Sequence, residues 1–301
     1  MTDGIINVYK ERGFTSHDVV AKLRGILKMK KIGHTGTLDP EAEGVLPVCL
    51  GKATKVCELL TDKEKTYQAV LLLGSVTDTQ DTTGEVLEQH PVECKEEEVR
   101  RVIASYVGEI LQIPPMYSAL KVNGKKLYEL ARQGIEVERK ARPVTIHEIR
   151  IDQIDLPRIT MTVTCSKGTY IRTLCHDIGQ SLGCGGCMEK LLRTAVGPFR
   201  LENSVRLCEI EQKRDEGKLD EVISSTDSVF MKYPALILKA DGEKAVRNGN
   251  PFHKESADAD SSGISVGSES RVRVYDQNRT FLAVYEWRAE KNCYWPVKMF
   301  L

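Results

Sequence analysis

A carboxylate set directly before a proline and among glycines is held on a stiff backbone in open surroundings. The stretch GHTGTLDPEAEG, from Gly33 to Gly44, has that form, with Asp39 followed by Pro40. A residue preceding proline is pushed out of the helical region into an extended one, so Asp39 projects from a constrained chain. Nearby glycines let a ligand or another backbone approach, and His34 supplies a polar ring upstream. One fixed carboxylate in such a setting suits nucleophilic or acid–base work, without saying on what substrate. The same glycines and the Asp-Pro pair serve equally well as plain turn chemistry, and residue grammar alone leaves that reading open. A phosphate loop does not fit. Leu46 stands where the first glycine before Gly51-Lys52 belongs, and Ala53 replaces the hydroxyl residue that would hold magnesium.

The bulk of the chain sets further bounds. With 301 residues, 41% hydrophobic and 29% charged, it can bury a sizeable core as one large domain or a large one plus a small one. No apolar run approaches the ~18 residues of a membrane span. The N-terminus, with acidic Asp3, lacks a signal-like apolar stretch, so a cytoplasmic protein is expected. Nine scattered cysteines, most in apolar runs, fit reduced thiols in a reducing compartment. Cys184 and Cys187 have CxxC spacing but lack the further ligands a zinc site needs, and no metal is expected. The 43 basic and 43 acidic residues cancel, so composition does not announce a nucleic-acid binder. Local clusters do point toward a polyanion. They are Lys28, Lys30 and Lys31, and seven basic against three acidic residues from Lys121 to Arg142.

Helical periodicity predicts a helix over 15–27, opened by a Thr15/Asp18 capping box, and a second over 95–107 with Val99, Val102, Ile103, Tyr106 and Val107 on its apolar face. A third follows Gly168, with Ile171, Leu174, Cys175 and Ile178 in phase and Gly179 as its expected end. Strands are expected at Tyr67–Leu73 and Ile159–Cys165. Val45–Leu50 reads as a buried strand or a helix start, and DTQDTTG (78–84) as a turn. Mixed elements in irregular order argue for an α+β fold rather than a βαβ repeat. Near residue 230 the texture changes to short strands, at 235–239, 271–276, 280–287 and 294–299. A Ser/Gly/Asp-rich stretch at 255–270 between them reads as a loop with little to bury.

Several blocks resemble, in order, the bacterial TruB-type tRNA pseudouridine synthase family. They are GFTSHDVVAKLR (13–24), KIGHTGTLDPEAEGVLPVCLGKATK (31–55), KTYQAVLLLGSVTDTQDTTGEV (65–86), PPMYSALKVNGKKLYELARQG (114–134), SKGTYIRTLCHDIG (166–179) and LLRTAVGPF (191–199). The resemblance covers roughly residues 5–200, and the C-terminal part fits more loosely. It implies a mixed, largely antiparallel sheet flanked by helices over 1–230, an RNA-binding thumb loop at about 118–135, and a small PUA-like β-barrel over 231–301. It further implies that Asp39 is the nucleophile, that Tyr67 stacks on the target base and serves in proton transfer, and that Arg172 pairs with Asp39. Tyr170 and Leu191 would line the pocket, His34 would hold the flipped nucleotide, and Lys121, Lys125 and Lys126 would contact RNA.

The implied reaction turns uridine 55 of the tRNA T-loop into pseudouridine, with no cofactor, no nucleotide and no membrane, in an enzyme expected to be monomeric. A non-catalytic tRNA-folding helper would use the same surface but tolerate loss of Asp39. A nucleoside hydrolase would need a second catalytic carboxylate, with Glu41 and Glu43 nearest. This chain also departs from the family pattern. Glu11-Arg12 follow Lys10 where Lys-Pro is usual, and Glu41 and Glu43 add like charge that opposes ionisation of Asp39 unless they point to solvent. Cys187 and Leu192 replace a His and an Arg, putting one phosphate contact in doubt.

Overall fold

The structure, a computed structural model, describes residues 3–122, 124–260 and 270–301. The first expected helix runs Ser16–Leu27. Its start is fixed by reciprocal bonds: Asp18 N donates to Thr15 Oγ1 at 3.0 Å, and Thr15 N to Asp18 Oδ2 at 2.8 Å. Val19, Val20 and Leu23 turn inward from it.

The central element is a ten-stranded sheet. Its main path runs Ile223–Ser224, Gly4–Lys10, Glu43–Leu50, Gly186–Val196, Lys65–Leu73, Arg158–Cys165, Arg142–Asp155, Gly108–Gln112. All neighbours on that path are antiparallel except Glu43–Leu50 with Gly186–Val196. The α+β class and the mixed, largely antiparallel sheet expected from the sequence are therefore observed. Along Lys65–Leu73 alternate residues Tyr67, Ala69, Leu71 and Leu73 face one core with Ile171, Leu174 and Ile178 of the helix Ile171–Ser181.

The parallel junction decides why the glycine-rich segment ends as it does. Gly44 is the register partner of Arg193, and a Cβ at Gly44 would stand 2.2 Å from the Arg193 carbonyl oxygen. Gly44 also has φ +104°. No side chain fits there, so this glycine belongs to strand contact rather than to a phosphate cradle.

Three local expectations are corrected. The helix predicted over 95–107 is Glu96–Ala104, because the chain must turn at Gly108 into the edge strand Gly108–Gln112, and Val107 is left exposed. Gly179 does not end its helix, which continues to Ser181. A Cβ at Gly179 would lie 2.3 Å from Gly186 N, so the residue is a close-packing glycine inside the helix. Within 255–270, Ala257–Ala259 is a strand pairing with Ala235–Leu238, while residues 261–269 lie outside the described residues.

The predicted C-terminal strands are Ala235–Leu238, Arg271–Tyr275, Phe281–Arg288 and Cys293–Met299. With Ala257–Ala259 they form a five-stranded sheet in the order 257–259, 235–238, 271–275, 281–288, 293–299. Where a barrel was expected, the ladder is open among the described residues. A two-way bridge between Phe252 and Tyr294 brings the last strand back toward the segment leading into the first. A helix, Ala240–Arg247, was not foreseen. The two sheets share a core in which Ile5, Val45 and Cys49 meet Phe230, Val284 and Phe300. No helix among the described residues is long and apolar enough to cross a membrane.

Candidate active site

Asp39 sits on a turn that is anchored from both ends and from below. Leu38 and Ala42 on either side of it are buried in the main core, and Ala42 N donates to the Asp39 carbonyl at 3.1 Å. Ser16 Oγ accepts from Leu38 N at 2.9 Å. Lys10, fully buried, donates from Nζ to Pro40 O at 3.0 Å and Phe14 O at 2.6 Å, and Gly13 N reaches the same Pro40 oxygen at 2.9 Å. The N-terminal strand and helix thus clamp the backbone beneath the carboxylate, a role that residue patterns did not reveal.

Burial, opposed by the nearby Asp39 and Glu43 carboxylates, brings the Lys10 ammonium down from 10.5 to about 8. Between those values the unfolded chain holds more protons at this residue than the folded one, so its contribution makes stability rise with pH across that window. Urea melts of wild type and Lys10→Met at about pH 7 and about pH 10 should show the difference moving in favour of wild type at the higher pH. A pH-independent difference would contradict this.

Arg172, second residue of its helix, donates from Nη2 to Asp39 Oδ2 at 2.5 Å. Its Nη1 lies 3.7 Å from Asp81 Oδ2. The guanidinium side chain is only 7% exposed and that of Asp81 14%, whereas Asp39 is 37% open to solvent. One buried cation is therefore shared by a hidden carboxylate and an accessible one. Asp81 is itself fixed, its Oδ1 accepting from Thr79 Oγ1 at 2.9 Å, Thr83 N at 3.0 Å and Thr83 Oγ1 at 2.5 Å. Thr173 Oγ1 donates to Gln80 Oε1 at 2.8 Å, tying the same loop to the helix. The DTQDTTG segment is a turn, as read, but it also carries the second carboxylate of the site, which the sequence reading missed.

Of the remaining candidates, Tyr67 and Tyr170 lie within the field of the Asp39 carboxylate, whereas His34 and the three lysines lie on other parts of the surface. Tyr67 is buried, and burial raises its phenol above the ordinary value, with Arg193 acting in the opposite direction and Cys165 and Asp39 adding to the rise. Tyr170 is half-buried, its backbone held both ways by Gln112, which donates to its carbonyl at 3.1 Å and accepts from its N–H at 3.0 Å. Burial raises its phenol too, and Arg172 and Asp39 both act on it. Leu191 is half-buried against the main core, opposite Ala69 in register.

His34 stands edge-on to His17, ring centroids 5.2 Å apart, in a cleft of about 560 Å³ also lined by Arg24, Lys30 and Lys31. Burial first, then His17, pushes its imidazole below the ordinary value, so it is neutral near pH 7. Gly36 N donates to its Nδ1 at 3.4 Å, leaving the ring proton on Nε2. Lys121, Lys125 and Lys126 are placed on a separate two-stranded hairpin, Lys121–Val122 with Lys125–Lys126, where Lys121 and Lys125 are exposed and Lys126 Nζ reaches Tyr128 Oη at 3.2 Å.

The two extra carboxylates after Pro40 are occupied elsewhere. Glu41 accepts from Arg12 Nε at 2.5 Å, and Glu43 from Tyr9 Oη at 3.1 Å. Glu11, in place of the usual proline, pairs with Arg206 at 2.6 Å. Neither Glu41 nor Glu43 thus stands as a free second acid beside Asp39.

The family model for the TruB family pseudouridylate synthase N-terminal domain matches residues 24–171, and that for the tRNA pseudouridylate synthase B C-terminal domain matches 172–231. The chain belongs to the TruB family of pseudouridylate synthases. Asp39 lies in the first matched region, and Arg172 opens the second. The tRNA pseudouridine synthase B of Lachnoclostridium phytofermentans is 54% identical, over 99% of this chain and all of the relative. That of Alkaliphilus oremlandii is 49% identical over 83% of each. Among solved structures, a chain of a Cbf5-Nop10-Gar1 complex is 28% identical, with TM-score 0.73, matching 99% of this chain and 85% of that one. An H/ACA ribonucleoprotein bound to a substrate RNA gives 26% and 0.72.

Proposed function

We propose that this protein isomerises uridine 55 in the T-loop of tRNA to pseudouridine, with Asp39 as nucleophile and no cofactor. The observation that carries the reading is the accessible Asp39 carboxylate bonded at 2.5 Å to the buried Arg172, in a chain whose relatives are named tRNA pseudouridine synthase B. The target base has to leave its stack to be reached. Arg172 holds the Asp39 carboxylate by a charge-assisted hydrogen bond and orients it toward the sugar. Tyr67 stacks on the detached uracil and serves in proton transfer, Tyr170 and Leu191 line the pocket, and neutral His34 holds the extruded nucleotide. The glycosidic C–N bond breaks and the link is remade through carbon. Electrons and water balance to zero, so neither redox nor hydrolytic help is called for. In this reading residues 1–230 form the catalytic part, with a thumb at about 118–135, and 231–301 a small β unit.

Lys121, Lys125 and Lys126 contact RNA phosphates. Changing all three to Gln should weaken tRNA binding and lower the slope of log Kd against log salt by about 2–3, as read by filter binding over a salt series. An unchanged slope would remove them from the interface. The reaction class is tested with tRNA transcript tritiated at uridine C5, without added metal or nucleotide. Release of one tritium per transcript with the uracil retained supports isomerisation, whereas free uracil in solution would favour a hydrolase.

A further inference from the structure

Arg193 is the bulkiest of the fully buried side chains, at 1% exposure. Its Nε donates to Val45 O at 2.7 Å and its Nη1 reaches Thr37 O at 3.5 Å, two backbone carbonyls that flank the Asp39 turn. Among the described residues its buried Nη2 meets no acceptor at full hydrogen-bond geometry. A buried cation served by carbonyls, with one donor left over, is expensive for a fold to keep. Across the sheet its register partner is Tyr67, and Tyr67 is the titratable group that acts on it.

We infer that Arg193 is a positioning residue for Tyr67, orienting the phenol oxygen at the target base and stabilising negative charge on it. The inference rests on the proposed function, in which Tyr67 handles a proton. After C5 of uracil has joined the sugar carbon, C5 still carries its hydrogen. That proton passes to the Tyr67 phenolate, which becomes phenol. The C5–H electron pair restores the C5–C6 double bond, and N1, freed from the sugar, takes up a proton, so one proton is moved and none is consumed. The orphaned Nη2 is the donor such a phenolate needs.

The other groups around Tyr67 oppose its ionisation or leave it alone. Cys165 on the neighbouring strand and Asp39 on the turn both raise the phenol, beside burial itself. Lys10 and Lys65, which feel the Arg193 charge, are committed to carbonyls of Pro40 and of Lys63, and burial brings each down to about 8. His34, also within its field, is neutral. Arg193 is thus the permanent cation available to Tyr67.

The test combines Arg193→Met, Arg193→Lys, Tyr67→Phe and the double variants. The first readout needs no RNA: ionisation of Tyr67, taken as the difference in phenolate absorbance between each protein and its Tyr67→Phe counterpart. Arg193→Met should move that ionisation to higher pH, and Arg193→Lys should move it less. With T-arm RNA, single-turnover rates should fall about 10–100-fold for Arg193→Met, with little change in RNA binding and the rising limb of the rate–pH profile shifted upward. In the Tyr67→Phe background the same substitution should cost nothing further. Unchanged Tyr67 ionisation, or an equal rate loss with and without the Tyr67 hydroxyl, would overturn the inference. Should Arg193→Met fail to fold, Arg193→Lys carries both readouts. A wild type that forms no pseudouridine would sink the proposed function instead, and the absorbance titration would still judge Arg193.

Discussion

Asp39→Asn should lower the rate of uridine isomerisation by ~10⁴-fold or more while leaving the fold and RNA affinity nearly intact. The amide is isosteric with the carboxyl, and the turn beneath it is held through its backbone by Lys10 and Ser16 and by the buried Leu38 and Ala42; Lys10 loses the Asp39 charge but keeps its carbonyl acceptors and Glu43. What disappears is the negative oxygen that can attack or deprotonate the sugar. Arg172 keeps Asp81 as its remaining carboxylate partner, so the buried guanidinium is not orphaned. Single-turnover rates and filter binding on one preparation separate the two effects. A rate within tenfold of wild type would place the chemistry on another residue.

Arg172→Met should have the second largest effect, and on stability as well as rate. It removes the cation shared by Asp39 and Asp81. Breaking a buried pair by deleting one partner costs roughly 3–5 kcal/mol, and the lower end applies here because Asp39 is 37% open to solvent and partly screened. The stranded charge is mainly that of Asp81. Urea melts at neutral pH should show the loss, and Arg172→Met combined with Asp81→Asn should lose less than the two single changes summed. Arg172→Lys should recover part of the stability but little of the rate, since a single ammonium point cannot hold both carboxylates as the planar fork does. A double-variant loss equal to that sum would mean that the side chain acts by packing alone.

How far this was legible in the sequence differs from residue to residue. Asp39 stood out because Asp-Pro among glycines is a local signal, and its pairing with Arg172 came from the family resemblance of matched blocks. Helix Ser16–Leu27 was legible because both its capping box and its periodicity are local. Asp81 was not, since DTQDTTG is a turn by composition and its contact with Arg172 is made with a helix 91 positions further on, a pairing fixed only by the fold. Arg193 was hidden in a mixed strand sequence, where nothing local distinguishes a fully buried arginine from a surface one. Gly179 misled for the same reason. A helix stop and a close-packing glycine look alike until Gly185–Gly186 is seen against it. The barrel came from resemblance, and the ladder itself is an open five-stranded sheet.

The most direct test maps pseudouridine at single-nucleotide resolution in an unmodified T-arm stem-loop incubated with wild type and, in parallel, with Asp39→Asn. The account predicts one modified site, uridine 55, with wild type alone. No modification by either protein, with tRNA binding retained, would contradict it and leave a tRNA-binding protein without this chemistry.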